Sequence, residues 1–197
     1  MIDSIAHWDE QLFLYLNQIH ASWLDPVMLL ITGKYIWIPF YIFLLFLLIR
    51  EYKMESIWFI VGLVLVIVLA DQFTSGFMKP FFERLRPCHD PRWQGIIMNY
   101  SGCGGKYGFA SSHAANTFGM AAYLQKAGAK KLPSFSWLFL WATLVSYTRI
   151  YLGVHYPADV LVGALIGLLS GWLVYWLIIK LKVFWTAHKF NSRINTL

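Results

Sequence analysis

Three short stretches of this chain concentrate the residue types that bind and attack a tetrahedral anion. Lys79 is followed seven residues later by Arg86-Pro87. A second stretch reads Ala110-Ser111-Ser112-His113, and a third runs from Thr148-Arg149 through His155 to Asp159. Lys79, Arg86 and Arg149 supply three positive charges. A guanidinium matches phosphate oxygens with two parallel N–H donors, whereas Lys acts as a mobile point charge. Ser111 and Ser112 stand at an expected helix start, where backbone N–H groups favour an anion. His113 and His155 have the right chemistry for a nucleophile and an acid near neutral pH. Pro157 suits the first turn of a helix, which puts Asp159 in that turn and within reach of His155. A carboxylate bonded to one ring nitrogen fixes the tautomer and leaves the other nitrogen available. Together these residues point to phosphoryl transfer.

The elements that must position them are set by composition. The chain has 197 residues, enough for one domain, 1–197, and no repeat or appended soluble segment is visible. Only 13% of residues are charged and 58% are hydrophobic, against about a quarter charged in a soluble domain. Such a surface faces lipid rather than water, and the 10 Trp, 11 Tyr and 15 Phe suit a protein that crosses membrane interfaces. The net charge of +6 is assigned to cytoplasmic loops and an anion site, not to nucleic acid. Residues 1–10 hold three acids and no Lys or Arg, so no cleavable signal peptide is expected there.

Segments 35–49, 57–78, 107–125, 132–148 and 160–179 are apolar and free of charge except for Asp71. A bilayer core needs about 20 helical residues, with tilt and snorkelling giving some latitude. The expected fold is therefore all-α, a polytopic transmembrane helix bundle of five spans, or six if the N-terminal region crosses fully. Residues 4–20 place Ile5, Trp8, Leu12, Leu16 and Ile19 at helical spacing. This fits an amphipathic helix in the interface or one packed on the bundle. Residues 24–33 are too short to span alone. The span beginning near Ser112, rich in Ala, Ser and Gly, is expected at the centre, where small side chains let helices approach.

Alternating spans put Arg50, Lys53, Lys126, Lys130, Lys131, Lys180, Lys182, Lys189 and Arg193 on one side. Lys34, Lys79, Arg84, Arg86, Arg92, Lys106 and Arg149 fall on the other. Setting aside the three anion-binding cations of the second group, the bias places the first side in the cytoplasm. All three chemical stretches then lie at the extracytoplasmic face of the inner membrane.

The spacings K-x6-RP, then S-x-H, then R-x5-H-x3-D resemble the signature of the type 2 phosphatidic acid phosphatase (PAP2) superfamily, over roughly residues 57–180. The first and third motifs match in full. In the middle motif Ala110 stands for Pro and Ser112 for Gly, and Thr148 stands for the Ser before Arg149. The resemblance implies a membrane lipid phosphatase. His155 would attack phosphorus, Asp159 would orient it and His113 would protonate the leaving oxygen. Lys79, Arg86, Arg149, Ser111 and the backbone near Ser112 would hold the phosphate oxygens. No metal or other cofactor is expected. The partners implied are a lipid phosphate or diphosphate and the bilayer, and the oligomeric state is not fixed. Undecaprenyl diphosphate is the first expected substrate, followed by phosphatidylglycerophosphate and phosphatidic acid, with lipid A phosphate also possible. Transfer of the phosphoryl group to another lipid is the rival reaction. A soluble haloperoxidase does not fit so apolar a chain. A non-catalytic lipid-binding or transport protein would be expected to have a broken motif, and here His113, His155 and Asp159 are all present.

At the variable positions of K-x6-RP, Glu83 and Arg84 read as loop solvation or local pairing, and His89, beyond the motif, reads as structural. Asp71 lies within a span, eight residues before Lys79, and is expected to support a polar network with Gln72, Thr74 and Asn116. Cys88 and Cys103 share the loop 87–109, where an oxidising compartment would permit a disulfide; spacing alone leaves the pairing open.

Overall fold

The computed structural model describes residues 2–128 and 135–194. The described residues are helical apart from loops and one isolated bridge between Leu85 and Tyr107. Helix α1 spans Ile2–Asn17 and α2 Leu24–Thr32. Next come α3 (Ile38–Tyr52) and α4 (Ser56–Asp71), joined by a 3-10 turn at Lys53–Glu55. Helix α4 runs on through a π-helical segment, Gln72–Met78, into the short α5 (Lys79–Phe82). After the loop come α6 (Ser112–Gly128), α7 (Trp137–Tyr151) and α8 (Pro157–Ile194).

Among the described residues, two runs are long and apolar enough to cross a membrane: Tyr35–Phe82, which contains the α3–α4 turn, and Pro157–Thr186. The other expected spans are shorter as helices. Residues 107–111 belong to the loop and α6 begins at Ser112. The expected start at Leu132, like Lys130 and Lys131, lies outside the described residues, as do the side chains of Lys189 and Arg193. The two runs hold three of the five expected spans, 35–49, 57–78 and 160–179, while α6 and α7 have 17 and 15 residues.

The centre of the bundle is the contact between α6 and α8, and small residues make it possible. A Cβ on Gly167 would lie 2.3 Å from the Ala115 carbonyl oxygen, and one on Gly171 would lie 2.5 Å from that of Gly119. The outward face of α8 carries Leu161, Leu165, Leu169 and Leu173, all exposed at a four-residue spacing. A continuous apolar stripe of this kind is stable against lipid.

Helix α1 packs on the bundle, and of the residues its apolar pattern marks only Leu16 joins the packed face, against the cluster of Phe13, Ile150 and Tyr156. Asp9, Phe13 and Asn17 form the buried face, while Ile5, Trp8, Leu12 and Ile19 point outward. The Asn17 side-chain amide donates to the carbonyls of Met98, Ile150 and Tyr151 and accepts from the Met98 amide, locking α1 to α7 and the loop.

Gly167→Ala should cost about 1–3 kcal/mol through overpacking at backbone that cannot yield. Leu165→Ala, on the outward face of the same helix, should stay within about 0.5 kcal/mol. Thermal unfolding in detergent checks this pair, and equal midpoints for both variants would contradict the packing described.

Candidate active site

His155 follows α7 in a tight turn. Gly153 adopts a φ of +69°, a conformation that favours glycine, and its carbonyl accepts from the Cys88 amide at 3.1 Å. The chain then enters α8 at Pro157. Asp159, in the first turn, folds back so that Oδ2 accepts the Tyr156 amide at 3.0 Å and faces His155 Nδ1 at 3.3 Å. Both side chains are buried. With Nδ1 turned toward a carboxylate, Nε2 is the nitrogen left for a substrate.

The start of α6 is fixed against the same turn. The Ser111 amide donates to the Asp159 carbonyl at 2.9 Å, so this N–H is engaged within the protein instead of being open to an anion. The Ser111 hydroxyl is buried and makes no hydrogen bond. Ser112 also departs from the expected role of offering only its backbone. Its hydroxyl gathers Thr74 at 2.9 Å, Ser75 at 2.9 Å and Lys79 Nζ at 2.8 Å. Ser75 in turn lies 3.4 Å from Asp71 Oδ1 and 3.2 Å from Lys79 Nζ. Asp71, Ser75 and Lys79 thus form one ladder down the α4–α5 helix, and the π-helical turn lies within it, a feature frequent at functional sites. Gln72 is exposed and stands apart from this network.

Arg86 is held by the loop: its amide donates to the Lys106 carbonyl and its Nε to the Tyr107 carbonyl. A disulfide between Cys88 and Cys103 closes that loop. Among the described residues, the one cluster with metal-ligand spacing is Cys88, His89 and Cys103, and the disulfide uses both of its sulfurs. His89 bonds the Gly104 carbonyl at 3.2 Å and Tyr107 bonds Glu83 at 3.2 Å, in keeping with structural roles.

Lys79, Arg86, Ser112, His113 and His155 line one cavity of about 420 Å³, together with Asp71, Ser75 and Asn116. His113 is exposed to it. Arg149 sits in the last turn of α7, where its NH1 donates to Thr32 of the cavity wall at 2.6 Å and its Nε is buried without a partner. The cavity shares Tyr41, Asn116 and Thr117 with an apolar groove of about 390 Å³ that is walled by leucines of α3 and by Ile60, Val64 and Ile67 of α4. The expected site residues therefore converge, with Asp159, Arg149 and Ser111 behind the lining. Arg84 corrects the sequence reading. It is not a solvated loop residue but bonds Asp159 and Asp9, each 75 positions away. Its nearness to Arg86 gave no hint of partners so distant. Thr32, Tyr41 and the α2 end also escaped, because they lie outside the motifs.

The chain is similar to several known proteins. The PAP2 superfamily profile matches residues 59–182. A lipid A 4'-phosphatase of Bacteroides thetaiotaomicron is 38% identical over 167 residues, covering 83% of this chain and 74% of that protein. One of Porphyromonas gingivalis is 37% identical over 166 residues, covering 82% and 69%. An undecaprenyl-diphosphatase of Sulfolobus acidocaldarius is 26% identical, covering 78% and 70%. The crystal structure of Aquifex aeolicus LpxE superposes with a TM-score of 0.62 at 30% identity, over 83% of this chain and 92% of that one. A transmembrane PAP2-type phosphatidylglycerolphosphate phosphatase from Bacillus subtilis gives 0.70 at 23% identity, over 90% and 87%, a likeness of fold.

Burial pushes the His155 imidazole down to about 4, with the Asp159 carboxylate pulling the other way. The neutral ring, the form with a free lone pair, is thus retained well below the ordinary histidine range near 6.5. Ring-carbon NMR of the protein in detergent, assigned with His155→Gln, should show His155 titrating near pH 4. Titration near 6.5 would contradict the buried pair.

Proposed function

Because the chain belongs to the PAP2 superfamily, a family of phosphatases, we propose that it hydrolyses a lipid phosphomonoester through a phosphohistidine on His155. In this reading the substrate is a phosphorylated glycolipid of the lipid A type. The observation that carries it is the continuity of a cation-lined cavity with an apolar groove between α3, α4 and α6. A phosphate fits the first and an acyl chain the second. Two relatives named as lipid A 4'-phosphatases, at 37–38% identity, favour that lipid. They displace undecaprenyl diphosphate, the first expectation from the sequence, which a 26% identical relative supports more weakly.

The proposed steps use the chain's own residues. Nε2 of His155 attacks phosphorus as the bond to the lipid oxygen breaks, and His113 gives that oxygen its proton. Water then attacks the phosphohistidine while His113 takes up the water's proton, freeing inorganic phosphate and His155. Lys79, Arg86 and Arg149 stabilise the equatorial oxygens, and Ser111, with its unpartnered hydroxyl, adds a donor. Positioning and charge stabilisation then supply the rate enhancement. Three cations meet the phosphate charge, so this mechanism needs no metal. The protein lies in a membrane, as its relatives and its two long apolar runs indicate. We assign the site to the extracytoplasmic face of the inner membrane from the distribution of Lys and Arg.

Phosphate release from purified lipids in detergent tests this. The highest kcat/KM is expected on a phosphorylated glucosamine disaccharide lipid, ahead of undecaprenyl diphosphate, phosphatidylglycerophosphate and phosphatidic acid. A clear preference for the prenyl diphosphate would overturn the substrate assignment. His155→Ala should remove turnover, and His113→Ala should lower it by about 10²–10⁴-fold. Activity should persist in chelator, and recovery of the phosphate on a second lipid rather than in water would mark a transferase.

A further inference from the structure

Asp159 has two oxygens and both are committed. Oδ2 takes the Tyr156 amide and faces His155, while Oδ1 accepts from Arg84 NH1 at 2.9 Å. The second arm of that guanidinium, NH2, donates to Asp9 Oδ2 at 2.6 Å. The other oxygen of Asp9 accepts the Ala158 amide at 2.8 Å, capping the start of α8 one residue before Asp159. The Arg84 guanidinium also lies over the Tyr156 ring, 4.0 Å from its centroid. Asp159 is 0% exposed and Asp9 8%. The loop seals this assembly from above: a Cβ on Gly108 would sit 3.0 Å from Asp159 Oδ2 and 3.5 Å from His155 Nδ1.

A buried carboxylate turns or gains a proton when a donor is withdrawn. Arg84 NH1 on Oδ1 and the Tyr156 amide on Oδ2 hold the carboxylate at both ends, and Asp9 on the second arm of the guanidinium keeps Arg84 in place for this. We propose that Arg84, held by Asp9, is a positioning residue for His155. In this arrangement the N-terminal helix α1 forms part of the active site's support. Asp9 lies far outside the matched family region, residues 59–182. The proposal rests on the phosphatase reading above.

The test is steady-state kinetics of the full-length protein in detergent on a lipid phosphomonoester, with thermal midpoints measured in parallel. Arg84→Gln should lower kcat by about 10–100-fold, the range for a group that orients a reacting ligand, and leave KM within about threefold. Arg84→Lys, one point charge for two carboxylates, should fall between. In an Asp159→Asn background the further loss from Arg84→Gln should shrink to threefold or less, since the two act through one contact. Asp9→Asn keeps an oxygen for the Ala158 amide, so it should preserve the fold while lowering kcat several-fold. An unchanged kcat in Asp9→Asn and Arg84→Lys at wild-type stability would overturn the proposal. So would an equal Arg84→Gln penalty with and without Asp159. An inactive wild type would refute the phosphatase reading and this inference with it, whereas an active wild type indifferent to Arg84 would refute this inference alone.

Discussion

A carboxylate with no access to solvent must find its hydrogen bonds inside the protein, and the Asp159 side chain draws them from two separate parts of the chain, its own turn and the loop after α5. The Tyr156 amide and His155 belong to the turn, and Arg84 to the loop. Its backbone takes part as well, since the Asp159 carbonyl receives the Ser111 amide that starts α6. Removing one partner from such a group leaves buried charge uncompensated, at a cost of roughly 3–5 kcal/mol. Segments distant in sequence are thereby held to one end of the bundle.

The small-residue seam between α6 and α8 lets this happen. With Gly163 facing the Ser111 carbonyl, and Gly167 and Gly171 facing backbone on α6, the two helices approach closely enough for Ser111 to reach Asp159. The same approach puts Ser112 beside the α4–α5 helix, where its hydroxyl gathers Thr74, Ser75 and Lys79. Ser112 stands where the family pattern has Gly. In this chain the extra hydroxyl became a holder for the lysine, a role that only a view of the neighbouring helix could reveal.

Much of the site was legible because its chemistry sits in short, ordered motifs. Lys79, Arg86, His113, Arg149, His155 and Asp159 were singled out as candidates by type and spacing, and the central place of the Ala- and Gly-rich helix followed from side-chain size. What escaped had physical reasons. Arg84 and Asp9 pair across 75 residues, and no local pattern encodes such a contact. On α1 the hydrophobic period marked mostly outward residues, Leu16 excepted, because the fully buried face is built from Asp9, Phe13 and Asn17, two of them polar. In a membrane protein apolar residues suit the lipid side, so hydrophobicity alone does not identify the core. The span count rests on sequence alone, since α6 and α7 have 17 and 15 residues, short of the roughly 20 that a full helical crossing needs.

The central claim is that His155, steadied by Asp159, carries the phosphoryl group between lipid and water. Rapid acid-free quenching of the protein with a phosphorus-labelled lipid, followed by peptide mapping, tests it directly. The account predicts label on the peptide containing His155, stable in alkali and released by acid as a phosphoramidate should be. Label on any other residue, or turnover with no covalent label at any time point, would contradict it.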